Sequence, residues 1–339
     1  MYNKRVIQYT LLLMLFFISC DHKKQSIGEF DLIHVFADSS IYQNTLPALE
    51  QIFNQYIYTP RAEKSFYLQW EPIEKLGIYQ YKRNLLFIGL FNQEDAASVY
   101  IMKMVSPDLQ KAILDEKIFH IFQENLFAEN QMSIILLAPN ITQLMENINR
   151  YGDAIYRELE KYYFERLEEN MFSIEEQKDL EKYLADNFAW KIRVPYDYKL
   201  VRQSMNGSFI WLRNLKPDRN IFVYRFFTAC FDDSEYFLFN LRDSLTTVYF
   251  EGDSIVRDDS YSVKTELAGW SSTKLVGVWK NNKYLVGGPF RMYTFFDQDS
   301  QYQYVIDLSV LAPNRRKKPY LDELEVIVNS FQLISPKME

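Results

Sequence analysis

The sequence predicts an α+β fold of two α/β subdomains, the second with a mostly antiparallel sheet and a C-terminal helix. Three observations predict it. Leu85-Leu86-Phe87-Ile88-Gly89-Leu90 is apolar throughout, as in a strand buried on both faces, and helical patterns lie on either side of it. From Trp190 onward the pattern changes to strand-like runs separated by turn residues. Tyr320 to Phe331 then has the spacing of an amphipathic closing helix.

The elements follow in order. Phe30 to Ala37 is β-like, and Ser39 or Ser40 can cap a helix over Tyr42 to Tyr56, whose Leu46, Leu49, Ile52 and Phe53 have helical spacing. Phe66 to Ile73 and Asn84 to Phe91 read as strands, Glu94 to Met104 as a helix, and Ile118 to Phe122 and Ser133 to Leu137 as strands. Pro139-Asn140 opens a helix to about Phe172. A second follows, with Ser173 as N-cap and Glu176 closing a capping box, to about Asn187. Beyond it, Trp190 to Val194, Ser208 to Arg213 and Ile221 to Phe227 read as strands, and Asp233 or Ser234 caps a helix to about Val248. Tyr261 to Glu266, Lys274 to Lys280, Arg291 to Asp297 and Tyr302 to Leu311 complete the strands, with turns at Asn281-Asn282 and at 297–300. The expected organisation is a signal peptide over 1–19, a tether over 20–29, and subdomains over 30–188, with the long helical pair, and 189–336.

Composition narrows the class. Hydrophobic residues make up 48% of the 339 residues and charged residues 24%, which fits a folded chain and excludes a disordered one. The formal net charge of −7 disfavours phosphate-backbone binding, so no nucleic-acid partner is expected. Of the two cysteines, Cys230 lies in an apolar run and reads as a small buried hydrophobe.

The amino terminus says the most. Lys4 and Arg5 precede a mostly apolar stretch from Val6 to Ile18 that is too short to span a bilayer and fits a secretory signal. It ends in Phe17-Ile18-Ser19-Cys20, which resembles the lipobox of bacterial lipoproteins. That resemblance implies cleavage between Ser19 and Cys20, diacylglycerol on the Cys20 sulfur, and acylation, such as by palmitate, of the new terminus. The alternative is an ordinary signal peptide with an incidental cysteine. Asp21 to Glu29 is polar and reads as a solvated tether. The expected location is the cell envelope, membrane-anchored and facing the periplasm.

Four further segments carry a second resemblance. They are Ser208-Phe209-Ile210-Trp211-Leu212-Arg213 with Ile221 to Tyr224; Arg242-Asp243-Ser244 with Glu251-Gly252-Asp253 and Ser260-Tyr261; Val276-Gly277-Val278-Trp279 with Gly287-Gly288-Pro289-Phe290; and Leu311-Ala312-Pro313 with Lys317 and the closing helix. Together they resemble an uncharacterised family of gram-negative envelope lipoproteins known as domain of unknown function 4837; the N-terminal half agrees more loosely, through Asn84-Leu85-Leu86-Phe87-Ile88 and Phe127-Ala128, so that the resemblance spans roughly residues 30–335. The resemblance implies lipid anchoring and a shared fold and transfers no activity.

The search for chemistry finds no catalytic set. There is no Gly-x-Ser-x-Gly elbow, and no cluster of His, Cys or carboxylates spaced as metal ligands. His22 falls in the tether, while His34 and His120 alternate within strands and read as satisfied strand histidines. Glu158, Glu160, Glu165, Glu168 and Glu169 lie beside Lys161 and Arg166 and read as a solvated helix face. No cofactor is implied. Gly287-Gly288-Pro289-Phe290 reads either as a loop presenting Phe290 and Arg291 to a ligand or as a tight turn or bulge entering a strand. Trp70, Trp190, Trp211, Trp270 and Trp279 offer a stacking platform for sugar rings or a partner, or else fill the core. Arg315-Arg316-Lys317-Lys318 could touch lipid headgroups or form a solvated loop. The expectation is a lipid-anchored, non-enzymatic binding or structural module with an unidentified envelope protein or ligand as partner; the alternative is an envelope hydrolase acting on glycan or peptide.

Overall fold

Asn84–Leu90 is buried at all seven positions, and so is Met132–Ala138, because each has a strand on either side and both faces are covered. The computed structural model describes residues 23–57, 59–250 and 252–334; the expected signal peptide, Ser19, Cys20 and His22 lie outside the described residues. In chain order the elements are β1 (Leu32–Phe36), α1 (Ser39–Phe53), β2 (Tyr56–Ile57), β3 (Glu63–Lys64), β4 (Tyr67–Glu71), α2 (Leu76–Tyr79), β5 (Asn84–Leu90), α3 (Ala96–Met104), α4 (Pro107–Leu114), β6 (His120–Glu124), β7 (Met132–Ala138), α5 (Ile141–Phe172) and α6 (Lys178–Phe188). There follow β8 (Trp190–Lys191), β9 (Lys199–Gln203), β10 (Phe209–Leu215), β11 (Asp218–Phe227), α7 (Glu235–Tyr249), β12 (Ser254–Leu267), β13 (Trp270–Asn281), β14 (Val286–Asp297), β15 (Tyr302–Leu311), α8 (Lys318–Asn329) and β16 (Gln332–Leu333). The fold is mixed α and β, as the sequence predicts.

The chain divides into two compact units, one of residues 1–46 and 68–150, the other of 47–67 and 151–339. In the first, the sheet has the order β4-β1-β5-β7-β6, with β1, β5 and β7 parallel and β6 antiparallel to β7. Phe36, Phe87, Ile101, Ile113 and Leu137 meet in its core. The segment read as a solvated tether is laid along this unit. Glu129 N–H donates to the Lys24 carbonyl at 2.9 Å, Ile27 N–H to the Tyr81 carbonyl at 2.9 Å, and the buried Ser26 donates its hydroxyl to the Asn130 carbonyl at 2.7 Å.

In the second unit, seven antiparallel strands run in the order β12-β13-β14-β15-β11-β10-β9. Period-2 alternation gives this sheet two apolar faces. One packs Phe222, Leu275, Phe290 and Met292 against Leu238, Phe239 and Leu245 of α7. The other packs Ile221, Phe295, Ile306 and Leu308 against Leu321, Leu324 and Val328 of α8 and against α6.

Local readings are corrected in four places. Asp38, not Ser39 or Ser40, accepts the Ser40 N–H at the start of α1. No capping box opens α6: the Glu176 carboxylate is taken by Arg193 and Lys178, and Ser173 donates to the Asn170 carbonyl instead. Cys230 is exposed, because β11 ends at Phe227 and the apolar run continues into a loop. Gly287-Gly288-Pro289-Phe290 is neither loop nor turn; it lies inside β14, between β13 and β15.

Candidate functional site

The β10–β11 hairpin sets four side chains on the α7 face of the sheet. Trp211 donates its indole N–H to Asn220 Oδ1 at 2.9 Å. Arg213 grips Asp218 through two bonds of 2.8 and 2.7 Å, and Asn220 donates to Asp218 at 3.3 Å. Two parallel charge-assisted bonds fix both planes of the Arg–Asp pair. The end of α7 supplies aromatic rings. Phe250 lies 4.3 Å from the Trp211 ring, and Tyr249 stacks on Phe209 at 3.6 Å with 5° between planes.

Across from them, β13 brings Trp279 and Asn281. Trp279 pairs in register with Gly288 of β14. The two glycines are dictated by close backbone approach: a Cβ on Gly287 would stand 2.6 Å from the Trp279 carbonyl oxygen, and one on Gly288 only 1.9 Å from that of Val310. Asn281 donates to Asp253 at 2.7 Å. Burial pushes the Asp253 carboxyl above the usual carboxylate range, against the pull of Asn281 and Arg242 and with the push of Asp307 and Asp218.

Together these residues line a cleft of about 500 Å³ that also includes Arg202, Tyr284 and Ser309. Trp279 is only 5% exposed, and its Nε1 finds no acceptor among the described residues. On the same sheet face Arg242 of α7 binds Asp307 at 2.6 and 3.3 Å and lies 3.8 Å over the Phe290 ring. Its Nη1 also has no partner among the described residues.

Arg291 faces the other way. Alternation along β14 turns it toward α8, where Glu325 accepts from Lys274 at 2.7 Å, from Arg291 at 2.8 Å and from Tyr293. Burial would raise the Glu325 carboxyl, but the two cations and the phenol overcome it and hold it at about 2. Beside it, Asp322 accepts from Lys318 at 2.5 Å and from Tyr163 at 2.7 Å. A hollow of about 470 Å³ adjoins this ionic cluster.

The residues singled out from the sequence are thus divided. Trp211 and Trp279 share the α7-side cleft, Gly288, Pro289 and Phe290 are buried in the strand beneath, and Arg291 serves the α8 side. The five tryptophans form no common platform: Trp190 is core, Trp270 packs on the α8 face, and Trp70 belongs to the first unit and donates to the Ala37 carbonyl at 3.1 Å. His34 is a buried strand histidine that stacks on Tyr79 at 4.9 Å, though its Nδ1 has no partner. Of the further site residues, Asn281 and Asn220 are marked in the sequence only by nearness to Trp279 and Trp211, and Asp253 only by its place in the Glu251-Gly252-Asp253 segment. Among the described residues, no three His, Cys, Asp or Glu side chains gather as metal ligands would, and no helix is long and apolar enough to cross a membrane.

No curated protein matches the chain. Among solved structures it is similar to one from Bacteroides thetaiotaomicron (8% identity, 44% of this chain and 47% of that one, TM-score 0.27). The chain therefore spans about half the length of that protein. It is also similar to LpqN of Mycobacterium tuberculosis, described as involved in cell envelope biogenesis (14% identity, 43% and 83%, 0.29), and to the Ran-binding protein Mog1p of Saccharomyces cerevisiae (11%, 43% and 90%, 0.31). At these scores none of them carries an argument about activity. The family matches are more direct: residues 26–172 match a domain of unknown function, DUF8532, and residues 177–330 match another, DUF4837. The chain is thus similar to DUF8532 over its first part and to DUF4837 over its second, the one its tryptophan and Gly-Gly-Pro-Phe segments resemble; the DUF4837 match is confined to 177–330 and does not extend over the N-terminal half.

Proposed function

We propose that the protein is a lipid-anchored, non-enzymatic binding module of the cell envelope, facing the periplasm, with the Trp211–Trp279 cleft as its ligand site. One observation carries the ligand site: the indole N–H of Trp279, in the wall of a cleft, buried and without an acceptor. Such a group costs about 1–3 kcal/mol if left unmatched, and a ligand oxygen would satisfy it. Around it, the flat faces of Trp211, Phe250 and Tyr284 alternate with the planar polar groups of Asp218, Asn220, Asp253 and Asn281. That mixture suits a saccharide, whose C–H faces stack on rings while its hydroxyls bond amides and carboxylates.

The anchor reading rests on Ser19-Cys20 and gains support from the docked segment after it. Backbone bonding begins at Lys24, so four residue steps, at most about 14 Å, separate a lipidated Cys20 from the first unit.

The test is binding of the full chain to an array of bacterial cell-surface glycans, with tryptophan fluorescence as a second readout. Trp211→Ala is expected to weaken binding about tenfold, or 1.4 kcal/mol. An affinity that Trp211→Ala leaves unchanged removes the cleft from the proposal. A second reading, a hydrolase acting on glycan, draws on Asp253, whose raised carboxyl would suit a general acid. The two readings part on product: the binding module releases none, whereas the hydrolase cleaves the bound glycan and loses that cleavage, but not binding, in Asp253→Asn.

A further inference from the structure

The chain is acidic overall, yet one hollow of its second unit is basic. About 720 Å³ in volume, it is walled by Arg61, Arg315, Arg316 and Lys317. Arg61, Arg315 and Lys317 enter no ion pair with a described carboxylate, and Lys317 Nζ donates only to the Arg315 carbonyl, at 2.7 Å. The carboxylate in the hollow, Glu63, is already engaged: it accepts the backbone N–H groups of Lys317 at 2.8 and 2.9 Å and of Lys318 at 2.9 Å, capping α8. Arg61, Arg315 and Lys317 are therefore left without a described carboxylate to neutralise them.

Leu285, at the tip of the β13–β14 hairpin, lines the same hollow. It is 88% exposed and holds φ at +52°, a left-handed conformation where Gly or Asn would be at home. Tyr284 beside it is 52% exposed, and Lys283 lies 4.6 Å over the Tyr284 ring. A large apolar residue held bare, against its backbone preference and ringed by cations, breaks two local rules at once. Such breaches cluster where a surface has work to do.

We propose that this face docks on an anionic phospholipid surface. Leu285 and Tyr284 enter the boundary between headgroups and acyl chains, while Arg61, Arg315, Arg316 and Lys317 meet the phosphates. The occupant is fixed by complementarity: an apolar tip among cations matches an interface whose depth is greasy and whose surface is negative. An acidic soluble protein would satisfy the cations and leave the leucine in water. This contact is separate from the Cys20 acyl chains; it shares Tyr284 with the Trp211–Trp279 cleft, whereas Leu285 and the four cations lie outside that cleft.

The test uses the full chain with Cys20→Ser, so that no acyl chain contributes. Co-sedimentation compares vesicles of phosphatidylcholine alone with vesicles that also contain phosphatidylglycerol. The ratio of the two partition coefficients cancels the apolar part of the uncleaved leader, and a paired substitution separates this face from Lys4 and Arg5, which also attract anionic vesicles. That ratio is expected to be well above one and to fall as salt screens the surface. Arg61→Gln with Arg315→Gln should lower it roughly 25-fold, a factor of about five for each cation. Leu285→Ser should reduce partitioning into the anionic vesicles. A ratio near one, or one indifferent to salt and to the paired substitution, overturns the proposal; the salt series on the unaltered sequence keeps it falsifiable if a variant fails to fold.

Discussion

Gly288 shows how much can hang on a missing methyl group. A Cβ there would meet the Val310 carbonyl oxygen at 1.9 Å and Trp279 Nε1 at 3.2 Å, both from neighbouring strands. Neither can retreat, since β13 and β15 are paired along β14. Gly288→Ala should therefore destabilise the protein by about 3 kcal/mol, the upper end for overpacking a well-filled site. Gly77 is the control. It lies in α2 with nothing within 4 Å of its absent Cβ, so Gly77→Ala should stabilise by roughly 0.5–1 kcal/mol through helix propensity and chain entropy alone. Urea unfolding of both variants checks the opposite signs. The sequence marks Gly287-Gly288 as unusual but cannot name the restraint, because the opposing carbonyls belong to Trp279 and Val310, on other strands. The same applies to Trp279: its type suggested a ligand platform, whereas its unmatched N–H is visible only once the fold surrounds it.

At the scale of elements, α8 holds the most distinctive electrostatics. Glu325 sits on it with Lys274 and Arg291 of the sheet, and its carboxyl is held at about 2 against an ordinary value of 4.5. A depressed folded-state value means the unfolded chain binds the extra proton first. The stabilisation is therefore fully present above about pH 4.5 and is lost as pH falls toward 2. It amounts to roughly 3 kcal/mol. Glu325→Gln should flatten the stability profile across this window. It should also cost about 3–5 kcal/mol near neutrality by leaving Lys274 and Arg291 without their counter-charge. Burial raises the carboxyls of Asp307 and Glu323, whose contribution has the opposite sign and is lost as pH rises, so the difference between parent and variant isolates Glu325. Legibility also varied by element. Strands buried on both faces, such as β5 and β7, declare themselves by the apolar runs 85–90 and 134–138. The edge strand β9, Lys199-Leu200-Val201-Arg202-Gln203, is exposed or half-buried throughout, has no alternation to detect and was not read. The short helix Pro107–Leu114 was also missed, although Ser106 caps it.

For the whole molecule, the proposed anchor raises the question of what would keep an acidic body at a membrane. Cleavage of the leader would remove Lys4 and Arg5 and take the net charge from −7 to −9, so an anionic bilayer repels the body as a whole. The cations around Leu285 act only over a Debye length of about 8 Å in physiological salt, and cannot by themselves hold the protein against dilution. Acyl chains can: each buried CH₂ contributes about 0.8 kcal/mol, and two or more chains give stable anchoring. On the proposed reading the two contacts have different duties, retention by lipid on Cys20 and surface contact by the basic hollow, and they should separate experimentally. Cys20→Ser is expected to abolish incorporation of radiolabelled palmitate and to leave the protein with an uncleaved leader, shifting it on gels. Arg61→Gln with Arg315→Gln is expected to leave palmitate labelling and membrane fractionation unchanged, because retention does not depend on those cations. An unmodified Cys20 thiol in mass spectrometry of the mature protein would refute the anchor. Loss of fractionation in the arginine variant, with labelling intact, would instead assign retention to the basic face.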